Sequence, residues 1–155
     1  MDDDTTALHR LVAIEEIKQL KARYFRSMDT RQWDDFGQVF ARNAVLEVPE
    51  ADTTQTGRDA IVAFVSGALI GARTAHHGHM PEIEITGADT ARGTWAMFDY
   101  VEWPASESGG RVGIQGFGHY IEEYAREDGQ WRISRTRLTR LRVDPLGVGL
   151  PDLTI

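Results

Sequence analysis

The residues best suited to chemistry in this sequence are acid–base side chains set among apolar neighbours. In the segment Trp95-Ala96-Met97-Phe98-Asp99-Tyr100-Val101-Glu102-Trp103, the odd positions form one face of an extended strand. Asp99 is the single carboxylate on that face, between Trp95, Met97, Val101 and Trp103. A buried carboxylate is costly unless it is paired. Either Asp99 meets a cationic or hydrogen-bonding partner inside the protein, or the strand is bulged or at an edge there and the carboxylate reaches water. The cluster His76-His77-Gly78-His79 holds three of the five histidines. In a strand His77 and His79 share one face and His76 takes the other. A metal centre needs three or four ligands, and no partner motif such as HExxH accompanies these histidines. One histidine acting as an acid–base group near neutral pH, oriented by a carboxylate, is the simpler chemistry. A solvent-facing strand residue is the plain alternative, and His119 lacks special context.

Two further candidates lie near the start of the chain. Tyr24 falls on a helical apolar stripe, where a tyrosine is ordinarily core with its hydroxyl satisfied. Asp29 falls where that stripe ends, a place that also suits an ordinary cap or turn residue. Near the other end, Arg132-Ile133-Ser134-Arg135-Thr136-Arg137-Leu138-Thr139-Arg140-Leu141-Arg142 spreads charge over both strand faces. By itself this reads as a solvated face, with Glu122 and Glu123 as partners on an adjacent strand.

Composition narrows the chemistry. The chain has 155 residues, 41% hydrophobic and 26% charged, enough for one domain with a real core and too few for two of ordinary size. A formal charge of −7 argues against nucleic-acid or anionic-membrane partners, whose phosphates need clustered Lys and Arg. With no cysteine there are no disulfides, thiolate nucleophiles, Cys-type zinc sites or Fe–S clusters. That usage and the acidic opening Met1-Asp2-Asp3-Asp4 set the expectation of a cytoplasmic protein without an export signal. No apolar run has membrane-span length, and neither GxGxxG nor a Walker motif is present.

The elements that must position these residues follow from periodicity. Met1 to Thr6 reads as frayed. Leu11, Ile14, Ile17, Leu20, Tyr24 and Met28 recur at three and four residues and predict a first helix from Ala7. A short helix over 31–40 carries Trp33, Phe36, Val39 and Phe40, with Asp29 or Thr30 as its cap. A strand is expected over 44–48, a polar loop over 50–57 and a third helix over 58–69. Beyond Gly71 the period becomes two, predicting strands over 74–79, 82–86, 91–103, 111–126 and 130–143. Turns fall at Gly87-Ala88-Asp89, Ser108-Gly109-Gly110 and Glu127-Asp128-Gly129. Helices followed by long strands mean an α+β fold, with three helices grouped on one side of a strongly curved antiparallel sheet. The tail 144–155 is too irregular for a domain and is expected to pack at a subunit contact.

The run Ala13-Ile14-Glu15-Glu16-Ile17-Lys18-Gln19-Leu20-Lys21-Ala22-Arg23-Tyr24-Phe25-Arg26-Ser27-Met28-Asp29, followed by Trp33-Asp34, resembles the opening of SnoaL-like proteins of the nuclear-transport-factor-2-like (NTF2-like) superfamily. His76 to Ile85 is similar to that family's histidine strand. Ala91 to Trp95 with Asp99, and Tyr124 with Glu127 to Ile133, match its later strands. The resemblance covers roughly residues 8 to 143, and within the family it is closest to the bile acid 7α-dehydratase pattern. Scytalone dehydratases and hexachlorocyclohexane dehydrochlorinases are more distant.

The resemblance implies a single-domain cone of helices over a bent sheet, with a deep pocket between. It places Tyr24, Asp29, His76, Asp99 and Arg140 at the family's catalytic positions. The implied reaction is a cofactor-independent and metal-free elimination of water from a steroid-like or polycyclic ketone. His76 would be the base, with Asp99 orienting its imidazole. Tyr24 would act as acid or oxyanion donor, Asp29 would position it or help protonate the leaving group, and Arg140 would bind an anionic group or hold Asp29 ionised. Trp33, Trp95, Phe98, Phe117 and His79 are expected to line the pocket. The implied partner is a small hydrophobic cyclic substrate. A homo-oligomer is expected, a trimer by resemblance or otherwise a dimer. The same scaffold also carries isomerases, polyketide cyclases and non-catalytic binding or assembly modules. Product mass separates the first of these, since only dehydration loses a water.

Overall fold

The stripe on the first helix packs into the concave face of a six-stranded sheet. The computed structural model describes residues 3–105, 107 and 110–147. The first helix, α1, spans Asp3–Asp29 and so begins within the segment expected to be frayed. Ala13, Ile17, Leu20, Tyr24 and Met28 are buried along it, a spacing of three and four that keeps one stripe inward. Leu11, predicted on the same stripe, is exposed, because the turns through Val12 stand clear of the core. The short helix α2 spans Trp33–Gln38 and buries Phe36, with Asp34 and Asp35 at its electropositive first turn. Neither Asp29 nor Thr30 caps it. Its N-cap is Gln32, reached through a left-handed turn at Arg31 (φ 59°).

Strand β1 covers Phe40–Val48 and β2 covers Thr53–Thr56, joined by a 3₁₀ turn over Pro49–Ala51. The β2 segment, read from sequence as loop, carries no apolar residue to mark a period. It is held as an edge strand by antiparallel pairing to β1, from Val45 opposite Thr56 to Val48 opposite Thr53. The third helix, α3, spans Arg58–Ala68 and sets Ile61 in the core. Four long strands follow: β3 (Arg73–Ile85), β4 (Thr90–Trp103), β5 (Val112–Glu127) and β6 (Gln130–Pro145). The two strands expected before residue 86 are one. Pro81, which has no N–H to donate, is absorbed in a bulge between His79 and Glu82, where Met80 is exposed with positive φ.

The strand order is β2-β1-β6-β5-β4-β3. Pairing is antiparallel except between β1 and β6, which run parallel, so the sheet is mixed rather than antiparallel as expected. Because β3 runs opposite to β1, the three reversals along the β3–β6 meander bring the last strand back alongside β1 in the same sense. The sheet stays open, with β2 and β3 as its edges. Asp144 and Pro145 prolong β6, and Leu146-Gly147 turn back. The rest of the tail, and most of the Ser108-Gly109-Gly110 turn, lie outside the described residues. Among the described residues no helix is long and apolar enough to cross a membrane.

Candidate functional site

At the end of α1 the chain turns sharply, and Asp29 points its carboxylate at β3 rather than at solvent. The C-terminus of a helix is electronegative and a poor place for a carboxylate without donors. Asp29 receives three: the Thr74 hydroxyl at 2.8 Å, the His76 backbone N–H at 2.9 Å and His76 Nδ1 at 2.6 Å. Burial works to raise the Asp29 pKa, but the His76 ring and backbone donors, with Thr74, outweigh it and hold the carboxyl below its ordinary value. A carboxylate only accepts, so Nδ1 carries a proton, and in the neutral imidazole Nε2 is the acceptor. The imidazole is buried at the cavity wall, and Nε2 has no hydrogen-bond partner among the described residues.

Asp99 is buried on the inner face of β4, as its alternation with Trp95, Met97 and Val101 requires. It is not the orienting partner of His76, although the two residues are register neighbours across β3 and β4. Asp99 is instead gripped by Arg140 of β6, with Nη1 at 2.9 Å and Nη2 at 2.7 Å. The reason lies on β5 between them. Gly116 stands opposite Asp99, and a Cβ there would collide with both the Arg140 guanidinium and the Asp99 carboxylate. With no side chain in the way, the arginine fork reaches across a whole strand to close a bidentate pair. The hydrogen bonds from Arg140 to Asp99 hold the guanidinium above its usual pKa. Glu50 braces the Arg140 backbone N–H at 2.7 Å.

These groups border a cavity of about 170 Å³ between the helices and the sheet. Tyr24, His76, Asp99 and Arg140 line it, and Asp29 stands behind His76. Tyr120, which sequence reasoning passed over, lines it beside Tyr24, and burial pushes both phenols well above the ordinary tyrosine range. Apolar walls come from Leu46, Phe64, Val65, Val101, Trp103 and Leu138. None of the five residues expected as pocket lining is among them. His79, Phe98 and Phe117 are on the opposite face of the sheet, where Phe98 packs on His77 and Phe117. Trp95 is on the inner face but four residues along β4 from Asp99, donating to the Tyr124 hydroxyl at 2.8 Å. Trp33 lines a separate surface hollow with Arg58 and Val62. A larger groove of about 750 Å³ along α1, lined by Glu15, Gln19 and Arg23, contains no histidine. Among the described residues no His, Asp and Glu side chains gather in a set able to hold a metal ion.

Next to the cavity lies a second buried charge pair. Lys21 Nζ donates to Glu122 Oε1 at 2.6 Å, and both side chains are fully buried. Glu122 therefore pairs with Lys21 rather than with an arginine of β6. It also accepts from the Thr136 and Tyr124 hydroxyls, at 2.9 and 2.6 Å. Burial draws the Lys21 pKa down, and the Glu122 charge and hydrogen bond oppose that fall. The signal available in sequence was period two: Tyr120, Glu122 and Tyr124 share the inward face of β5.

Residues 9–137 match the SnoaL-like domain model. The chain belongs to the SnoaL-like family. Its fold is that of the NTF2-like superfamily. A type 2 hexachlorocyclohexane dehydrochlorinase superposes with a TM-score of 0.80 at 22% identity, over 96% of this chain and 99% of that one. A scytalone dehydratase-like protein from Novosphingobium aromaticivorans gives 0.80 at 19%, over 94% and 93%. A Mycobacterium tuberculosis protein of unknown function gives 0.71 at 25%, over 86% and 74%. These neighbours share the fold of this chain.

Proposed function

We propose that this chain is a lyase that eliminates water from a neutral, one-ring β-hydroxy ketone by acid–base chemistry of its own side chains. The observation that carries this reading is the His76–Asp29 pair, which fixes Nε2 as a base on an apolar cavity that Tyr24 also lines. His76 Nε2 removes the proton next to the carbonyl, and the C–H electrons pass into an enolate. Tyr24 donates a hydrogen bond to the developing oxyanion. The enolate electrons then return to form the carbon–carbon double bond as the β-hydroxyl leaves. That hydroxyl takes the proton from the His76 imidazolium and departs as water, which restores the neutral base. Asp29 stabilises the imidazolium between the two steps.

Two features favour this substrate. Among the described residues the one arginine or lysine on the cavity wall, Arg140, is already paired with Asp99, so the site is matched to a neutral ketone rather than a carboxylate. The volume is close to the roughly 150 Å³ that accepts benzene in an engineered cavity, so a single ring matches the space beside His76. The test is a thermal-shift screen of one-ring and polycyclic β-hydroxy ketones. Hits are then followed for new conjugated-enone absorbance and for loss of one water by mass. Stabilisation by one-ring compounds with loss of water is expected. Turnover without mass change would make the protein an isomerase, and stabilisation without turnover would make it a binding module.

A further inference from the structure

The Lys21–Glu122 pair is too deep to touch a substrate, yet it sits directly behind the two phenols of the cavity wall. Lys21 lies one turn before Tyr24 on α1, and Glu122 lies two residues after Tyr120 on β5. The inward faces of helix and strand therefore bring a cation and two tyrosines together. Lys21 Nζ stands 3.7 Å from the Tyr24 ring centroid and 3.8 Å from that of Tyr120. The two rings meet edge to face at 5.9 Å. Every element of the arrangement fixes the ammonium in place. Glu122 accepts a hydrogen bond from it, the Thr136 and Tyr124 hydroxyls donate to Glu122, and the Trp95 indole N–H donates to Tyr124. Nothing in this chain of contacts opens to solvent at Lys21 or Glu122.

We propose that Lys21 is a positioning residue whose ammonium, clamped by Glu122 against the π faces of Tyr24 and Tyr120, strengthens both hydroxyls as donors to an anionic oxygen in the cavity. A cation on a ring face draws electron density out of the ring and polarises its O–H. Glu122 has a second task here. Its hydrogen bond and charge oppose the burial that favours the neutral amine. Burial meanwhile opposes ionisation of the phenols, so they remain protonated donors rather than phenolates. The inference rests on the proposed oxyanion role of Tyr24 and assigns its electrostatic source.

The probe is para-nitrophenol, a one-ring compound whose ionised and neutral forms differ in visible absorbance. Titration of the wild-type chain with it is expected to show preferential binding of the phenolate. Replacing the pair by neutral groups of similar size, Lys21→Met with Glu122→Gln, is expected to lower that preference by about tenfold, the scale of a desolvated cation–π contact. Tyr24→Phe should lower it as well. A double variant that keeps the full preference while Tyr24→Phe loses it overturns the role of Lys21 and leaves the oxyanion reading standing. A wild-type chain with no preference for the phenolate overturns both. Nitrogen NMR of the lysine side chains in the unmodified protein gives a readout that does not depend on the variant folding. Lys21 is expected as an ammonium at neutral pH, and a neutral amine there would overturn the proposal.

Discussion

The inner face of the sheet has a filled end and an open end, built from the same strands with the same alternation. Toward the β5–β6 turn, Tyr124, Trp131 and Ile133 are buried in the core, and Glu122 has each carboxylate oxygen matched to a donor. Toward the other end, Gly116 takes the inward position that Tyr120 and Tyr124 occupy further along β5, and a cavity remains. Both ends bury charge. At the filled end the charges are closed off from any ligand, whereas at the open end His76 and the Asp99–Arg140 pair line the cavity. Side-chain volume on one strand thus separates polar groups that no ligand reaches from polar groups that a ligand can meet.

The largest difference is expected from breaking one group at each end. His76→Ala should lower turnover by about 10²–10⁴, the range for loss of a general base, with the melting temperature little changed. Lys21→Met alone should do the reverse in stability, costing about 3–5 kcal/mol because Glu122 is left charged and unpaired. Chemical denaturation of the two variants side by side checks the contrast. A well-folded Lys21→Met with wild-type stability would erase it.

Next in size is the glycine that opens the cavity. Gly116→Ala puts a methyl group into the Asp99–Arg140 pair and should cost about 1–3 kcal/mol, the range for overpacking. It should also weaken thermal-shift responses to every one-ring ligand. Gly129→Ala, in the distant β5–β6 turn, is the control for a glycine substitution that meets no neighbouring atom but carries a positive φ. Loss of ligand response in Gly116→Ala but not in Gly129→Ala is the expected result.

The smallest effect is an acid dependence at the open end. The folded pKa of Asp29 lies below its unfolded value, so the folded state binds that proton less readily. Its stabilisation is therefore complete above the unfolded value near 3.8 and is lost as pH falls through the lower folded value. Melting temperatures below about pH 4 should fall more steeply in wild type than in Asp29→Asn. Parallel curves would remove Asp29 from the acid response.

How much of this was legible in the sequence depended on the range of the interaction. Period two exposed Asp99 as a carboxylate on a buried face, and the same count placed His77 and His79 away from His76. The helical stripe located Tyr24. Partners were another matter. Asp29 and His76 are 47 residues apart, and Lys21 and Glu122 are 101 apart. Each pairing depends on how α1 crosses the sheet, which no local pattern records. The expected His76–Asp99 dyad failed because adjacency in register does not decide who bonds to whom. Gly116 let a better donor, Arg140, reach Asp99 first. The aromatic walls were misplaced because aromatic residues were counted without regard to face. Phe98 and Phe117 pair with each other across β4 and β5 on the outer side.

The central claim is that His76 Nε2, oriented by Asp29, removes a proton beside a carbonyl. Solvent-deuterium incorporation tests it without requiring the natural substrate. A one-ring β-hydroxycyclohexanone is incubated in heavy water with wild type and with His76→Gln, and the carbon next to the carbonyl is followed by NMR. The account predicts deuteration or enone formation by wild type, slowed by about 10²-fold or more in His76→Gln. Equal rates in the two proteins would contradict it.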